Sequence, residues 1–171
     1  AHHAVYACVT LIANDIGKLR PKLVQQDSGG IWSEVTGQSP FLPVLRKPND
    51  YQNHIQFKEW WITSKLMRGN TYALKERDNR GVVRRLYILD PQRVSVLVSP
   101  SGEVFYRLME DNLSGVEESV TVPAREVIHD RINCLFHPLV GVSPIFASGT
   151  AANIGLNIES NAVNFFGQGS N

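Results

Sequence analysis

Three side chains with metal-ligand chemistry, His129, Cys134 and His137, fall within nine positions. Their spacing matches no zinc signature, and a fourth ligand is not evident, so no metal is expected. Ser143 lies in Gly141-Val-Ser-Pro-Ile145. A nucleophile elbow requires glycine two residues after the serine, and here that place is Ile145. Pro144 instead marks Ser143 as a residue that caps a helix start. His129, Asp130 and Ser143 are still the residues a hydrolase would have to use. The sequence contains neither a Walker-type phosphate loop nor a dinucleotide-binding glycine motif. The carboxylate pairs Glu110-Asp111 and Glu117-Glu118 fall in a polar loop, where water levels their affinities. No catalytic residue, cofactor or metal is therefore assigned.

Two features point to contacts. Lys75, Arg77, Arg80, Arg84 and Arg85 crowd one hairpin. Like charges directly opposed across strands destabilise a sheet, so an acidic neighbour must relieve them. Glu76, a partner subunit and nucleic acid all remain open as that neighbour. Trp60 and Trp61 are adjacent, and on a helix they point about 100° apart. At least one belongs to the core, and the other is a candidate subunit contact, where tryptophan is enriched.

The elements that position these residues follow from periodicity. Val5, Cys8, Val9, Ile12, Ile16 and Leu19 recur at helical steps, with Gly17 and Pro21 ending the helix. This stripe is expected to face the core, with Cys8 a buried thiol. Residues 22–26 and 31–35 flank Asp27-Ser-Gly-Gly30 as a small hairpin. Residues 37–53 carry three prolines and read as irregular chain, with one helical turn near Val44. A second helix covers residues 53–68, capped by Asn53 and ended by Gly69-Asn70. Strands follow at 71–77 and 82–89 around Asp78-Asn-Arg-Gly81, and at 94–99 and 103–109 around Pro100-Ser-Gly102. Asp90-Pro91 separates the two hairpins. Short strands are expected at 120–122 and 127–131. A long helix is expected over 144–166, with Ala147, Ala151, Ile154, Ile158, Ala162 and Phe165 on one stripe. The fold class is α+β: antiparallel hairpins and a meander packed with about three main helices, the last one long.

The 171 residues suffice for one domain with a genuine core, and 43% are hydrophobic. A net charge of +1 argues against a module that grips duplex DNA tightly. Two cysteines provide no disulfide framework, and a reducing cytosolic origin is the simpler reading. No apolar run is long enough to span a bilayer. There is no initiator methionine, and both ends read as interior to a longer protein. His2 and His3 are open between native residues and a tag remnant.

Several segments together resemble the portal proteins of tailed bacteriophages, in the branch of long-tailed phages. They are AVYACVTLIANDIGKL (4–19), LRKPNDY (45–51), LMRGNTYALKER (66–77), LYILDPQRV (86–94), VPAREVIHDR (122–131), GVSPIFAS (141–148) and NFFGQG (164–169). Their order and spacing span nearly the whole chain. The matching residues are structural: Gly69, Asn70 and Tyr72 at a helix-to-strand turn, Asp90 and Pro91 at a strand break, and His129 on a strand. Gly141, Ser143 and Pro144 match the entry to the long helix, and Phe165, Phe166 and Gly167 its exit.

The resemblance implies a wing-type domain over 1–171, divided into 1–69 (helical with a small hairpin), 70–131 (β-rich) and 144–167 (long helix). The rest of the stem, the clip and the crown are absent. It also implies a ring of about twelve identical subunits at one vertex of a phage head, with no enzyme activity. Double-stranded DNA passes through the channel without sequence preference. The partners implied are the terminase motor, capsid and scaffolding proteins, and head-tail connectors, with no membrane. The implied location is the virion, and the host cytoplasm during assembly. A nucleic-acid-binding module using the basic hairpin, or a phage hydrolase, are the alternatives.

Overall fold

The computed structural model describes residues 3–146 and Gly149. Helix α1 spans His3–Gly17 and is followed by a hairpin of β1 (Val24–Gln26) and β2 (Trp32–Glu34). A short helix α2 (Leu42–Arg46) leads into α3 (His54–Arg68). The β-rich part holds β3 (Asn70–Arg77), β4 (Val83–Leu89), β5 (Val94–Val98), β6 (Val104–Leu108), β7 (Val120–Pro123) and β8 (Val127–Arg131). The long helix expected over 144–166, and Phe165, Phe166 and Gly167 at its end, lie outside the described residues.

Local chemistry sets the ends of α3. The Asn53 side chain accepts hydrogen bonds from the Ile55 and Gln56 amides, and Gln56 reaches back to the Asn53 amide. This reciprocal cap satisfies donors that the first turn leaves open. At the other end Gly69 takes a left-handed conformation with φ of 77°. There the chain reverses directly from helix into β3.

The strands form three antiparallel sheets. β1 and β2 make one alone, β3 is central in the order β4-β3-β8, and β6 is central in the order β5-β6-β7. The expected meander thus divides, because β8 returns to pair with β3 and leaves β5-β6-β7 as a second sheet. Side-chain alternation along β3 builds two cores from one strand. Tyr72 joins Leu89, Tyr106, Leu108, Val116 and Val127 between the two three-stranded sheets. Its neighbour Ala73 faces the other way, against Phe57 and Ile88, with Trp61 and Ile128 packed around them. The layers are therefore α1, α3, the β3 sheet and the β6 sheet.

α1 differs from its expected placement. Its buried residues are Val9, Ala13 and Gly17. Cys8 is exposed, and Ile12, Ile16 and Leu19 remain 43%, 37% and 66% exposed. The reason is close helix approach: a Cβ on Gly17 would sit 2.8 Å from the Glu59 side chain. Small residues let α1 lie against α3, and the bulkier stripe is rotated outward.

Gly69 supplies a test of the helix-to-strand reversal. A Cβ there would meet Gly141 backbone atoms at 2.5 Å, whereas Gly81, with φ of 78°, has nothing within 4 Å. In urea denaturation Gly81→Ala should lose about 1 kcal/mol, from conformation alone. Gly69→Ala should lose at least about 2 kcal/mol, because it adds a backbone clash to the same conformational penalty. Equal losses at the two positions would remove the crossing described below from the fold's essentials.

Candidate functional site

The turn at Gly69 places Asn70 where three stretches of chain meet. The Asn70 side chain accepts from the Gly141 amide at 2.8 Å and donates to the Gly141 carbonyl at 2.9 Å. The Gly69 carbonyl accepts from the Ile132 amide, and the Ile132 carbonyl from the Val142 amide. Gly141 is buried, and a Cβ on it would collide with the Gly69 carbonyl. Two glycines are needed because two backbones cross here in direct contact.

His129 completes the crossing. Its ring stacks on Tyr72 at 4.2 Å and meets Tyr106 edge-on at 5.6 Å. Nε2 lies 3.1 Å from Asn70 Oδ1, and Nδ1 lies 3.1 Å from the Tyr106 hydroxyl. Asn70 Oδ1 can only accept, so Nε2 carries the proton and donates. Nδ1 then accepts from the Tyr106 hydroxyl. Desolvation, and then the nearby Arg131 charge, push the His129 pKa down to about 4. The imidazole is thus neutral across the physiological range. Burial likewise raises the Tyr72 hydroxyl to about 12.

The next residue on β8 faces the opposite side. Asp130 accepts from Trp61 Nε1 at 2.7 Å and pairs with Lys65 at 2.8 Å. Although desolvation works the other way, bonds from Lys65 and Trp61 hold its pKa below the usual carboxylate range. Ser143 Oγ donates to the Leu66 carbonyl at 2.6 Å and accepts from the Ile145 amide at 3.1 Å. The second bond is local, and the helix that Ser143 is expected to cap lies outside the described residues. His129, Asp130 and Ser143 therefore each bond elsewhere and not to one another. Two of them point to opposite faces of one sheet, so the hydrolase arrangement is not assembled. Cys134 is exposed, and His137 Nδ1 accepts from the Leu139 amide. Among the described residues no three histidine, cysteine or acidic side chains converge as metal ligands.

The basic hairpin is largely neutralised within the chain. Arg85 pairs with Glu76 at 2.6 Å and with Asp50 at 3.1 Å. Arg77 pairs with Glu126, Arg80 with Asp78, and Lys75 donates to the Arg125 carbonyl. Arg84 is exposed and has no such partner among the described residues. Among the described residues the acidic neighbours are Glu76, Asp50, Asp78 and Glu126. The β3–β4 register sets Glu76 opposite Arg85, Asp78 lies in the turn itself, and Asp50 and Glu126 reach the hairpin from outside it.

The tryptophans separate as their angular spacing requires. Trp61 is tilted on Phe57 at 5.8 Å and bonds Asp130, so it belongs to the core. Trp60 is 48% exposed beside Tyr51 and Leu113. A further apolar surface had no signal in periodicity. Both strands of the β1–β2 hairpin are exposed along their length, with Ile31 and Trp32 more than 60% accessible. The strands read Val-Gln-Gln and Trp-Ser-Glu, so its apolar surface comes from Val24, Ile31 and Trp32 alone.

The other family-matching residues fall into place around this geometry. Asp90 caps a 3-10 turn, Pro91–Arg93, by accepting from the Gln92 amide. Gly69, Asn70, Tyr72, His129, Gly141 and Ser143 gather at or beside the Asn70 crossing.

The family model for phage portal proteins matches residues 3–171. The portal protein of Enterobacteria phage HK97 is 28% identical over 167 residues, which cover 97% of this chain and 38% of that protein. The chain thus spans less than half the length of this curated relative. Among solved structures, a chain from the neck of an empty GTA particle, computed with C6 symmetry, superposes with a TM-score of 0.73. It is 21% identical and covers 94% of this chain and 42% of that one. A chain from the neck of the native GTA particle with C12 symmetry gives a TM-score of 0.67, at 21% identity and 93% and 41% coverage. At this identity the superpositions establish the fold.

His129 supplies a pH test. Its folded pKa of about 4 lies below the ordinary value of 6.5. Between those values the unfolded chain binds the proton and the folded chain does not, so stability must fall as pH falls through this window. Denaturation midpoints should drop from pH 7 to pH 5, and His129→Gln should flatten that drop. An unchanged slope in the variant would mean that His129 is not held neutral by the fold.

Proposed function

This chain belongs to the phage portal protein family, and on that premise we propose that it is the wing-type domain of a ring-forming portal subunit. The parent ring sits at one vertex of a phage head in the virion. Double-stranded DNA moves through its channel during packaging and ejection. The packaging motor, the capsid and scaffolding proteins and later the head-tail connectors are its partners. The role is mechanical, and the hydrolysis that drives packaging belongs to the motor.

One observation carries this reading. The side chains with the chemistry to catalyse, His129, Asp130 and Ser143, are each committed to holding elements of the fold together. Large apolar side chains are also left exposed, Ile31, Trp32 and Trp60 among them. Surfaces of that kind suit contact with further copies. We assign Trp60 and the β1–β2 hairpin to such contacts. The paired hairpin cations fit a channel through which DNA slides, because each phosphate neutralised adds salt-sensitive grip.

Electron microscopy of the full-length parent should show closed rings with a central hole. A strictly monomeric parent at high concentration would overturn the assignment. In that parent, Trp32→Ser combined with Trp60→Ser should lower ring yield severalfold, while the unfolding free energy of the isolated subunit changes by less than about 0.5 kcal/mol. Unchanged assembly would move the contact elsewhere. The logarithm of duplex affinity against that of salt should have a slope shallower than about −2. A steep slope, relieved by substituting Arg80 and Arg84, would favour a dedicated DNA-binding module.

A further inference from the structure

The chain just after α1, the β1–β2 hairpin and α2 enclose a small cleft of about 100 Å³. Arg20, Lys22 and Arg46 line it, with Glu34 as its one carboxylate. Lys22 pairs with Glu34 at 2.8 Å. That bond, and then the charges of Lys22, Arg20 and Arg46, hold the Glu34 carboxyl below its usual range against desolvation. Three cations thus converge on a single acid. Arg20 and Arg46 are in no ion pair among the described residues.

The loop between β6 and β7 has the opposite excess. Residues 109–119 include four acids, Glu110, Asp111, Glu117 and Glu118, and no lysine or arginine. Glu110, Glu117 and Glu118 are exposed, and their carboxylates are in no ion pair among the described residues. We propose that this loop, presented by a neighbouring copy of the chain, seats its carboxylates on Arg20, Lys22 and Arg46 of the cleft. The proposal rests on the ring reading above and names the charged contact between successive subunits.

Three observations select a second copy as the occupant. The first is complementarity. The chain as a whole is nearly neutral, at +1, yet it holds one unmatched basic patch and one unmatched acidic patch. Nucleic acid would match the cleft and leave the loop without a partner, whereas a second copy matches both. The second is placement. The cleft belongs to the α1 side of the layers and the loop to the β6 sheet, and among the described residues no ion pair within the chain joins them. Contact between two different patches is head-to-tail, which is the kind that closes a ring. The third is the surface beside each patch. Trp32 is exposed two residues from Glu34 on β2, and exposed Leu113 in the loop lines a hollow with Trp60 and Tyr51. Apolar contact flanked by charge is the usual anatomy of an interface. Surface ion pairs contribute little singly, so the charges here set register and exclude wrong approaches.

Ring yield of the full-length parent, counted by electron microscopy, tests the contact. Arg20→Glu with Arg46→Glu should lower it at least about tenfold, because like charges then face each other across the interface. Glu117→Lys with Glu118→Lys should do the same. All four substitutions in one chain restore the match, and should return the yield to within about twofold of the unsubstituted parent, as coupled sites do. A folding defect in either pair would not be repaired by reversing the other patch. Rings that persist through both double reversals, or a fourfold variant that stays dissociated, would overturn the contact while leaving the ring reading intact. Normal rings from a cleft variant that has lost duplex affinity would give the cleft to nucleic acid and overturn it too. A parent without rings before any substitution would defeat the ring reading, and this contact with it.

Discussion

The fold depends on one side chain holding two backbones together where they cross. Asn70 is the first residue of β3, and its carboxamide engages both the amide and the carbonyl of Gly141. In effect it substitutes for one residue of a strand that is not there. The contact is possible because Gly69 and Gly141 lack Cβ atoms at the point of closest approach. Asn70 also receives the His129 ring, which binds Tyr106 on the second sheet. A single amide thus fixes the exit of α3, the register of β8 and the direction in which the chain leaves at Ser143. Buried networks of this kind are stable only when every member is satisfied. A neutral His129, with one ring nitrogen donating and the other accepting, meets that condition. A protonated one leaves the Tyr106 hydroxyl without its acceptor.

The period-two alternation of β3 and β8 carries this constraint outward. Tyr72 and His129 face the second sheet, while Ala73 and Asp130 face α3. Adjacent residues therefore do opposite work. The imidazole enters the aromatic layer uncharged, and the carboxylate stays ionised at the rim, where Lys65 and Trp61 bond it. The two members of a supposed catalytic pair are separated by the sheet itself, and a one-residue slip in register would exchange their environments.

Local signals made most elements legible in the sequence. Asn53 and Gly69 bracket α3, and the glycine-containing turns mark each hairpin. Non-local pairing was not legible. Nothing near residue 127 announces that β8 returns to β3 across more than fifty residues, so one expected meander is two sheets. The face that α1 buries was misread for a related reason. Periodicity finds the bulkiest stripe, but packing against α3 selects Val9, Ala13 and Gly17 because they allow the helices to touch. The basic hairpin shows the same limit. Its five cations are close in sequence, yet the partners Asp50 and Glu126 lie 35 and 49 residues from the arginines they bind. The seam expected beyond Pro144 lies outside the described residues.

Charge and apolar surface are distributed in opposite senses, and the contrast bears on mechanism. Three of the hairpin's five cations pair with acids of the same chain, which lowers the positive field there. Apolar side chains, by contrast, are left unmatched at the β1–β2 hairpin and at Trp60. An isolated two-stranded hairpin is marginal in water unless something covers it. The proposed association through these positions would remove that penalty. A heterologous contact repeated with rotation closes into a ring, and the ring's regularity requires that each subunit present its edges at the same angle. In the ring proposed above, rigidity at Asn70 and His129 would serve that requirement, because an error of a few degrees per subunit would accumulate and prevent closure.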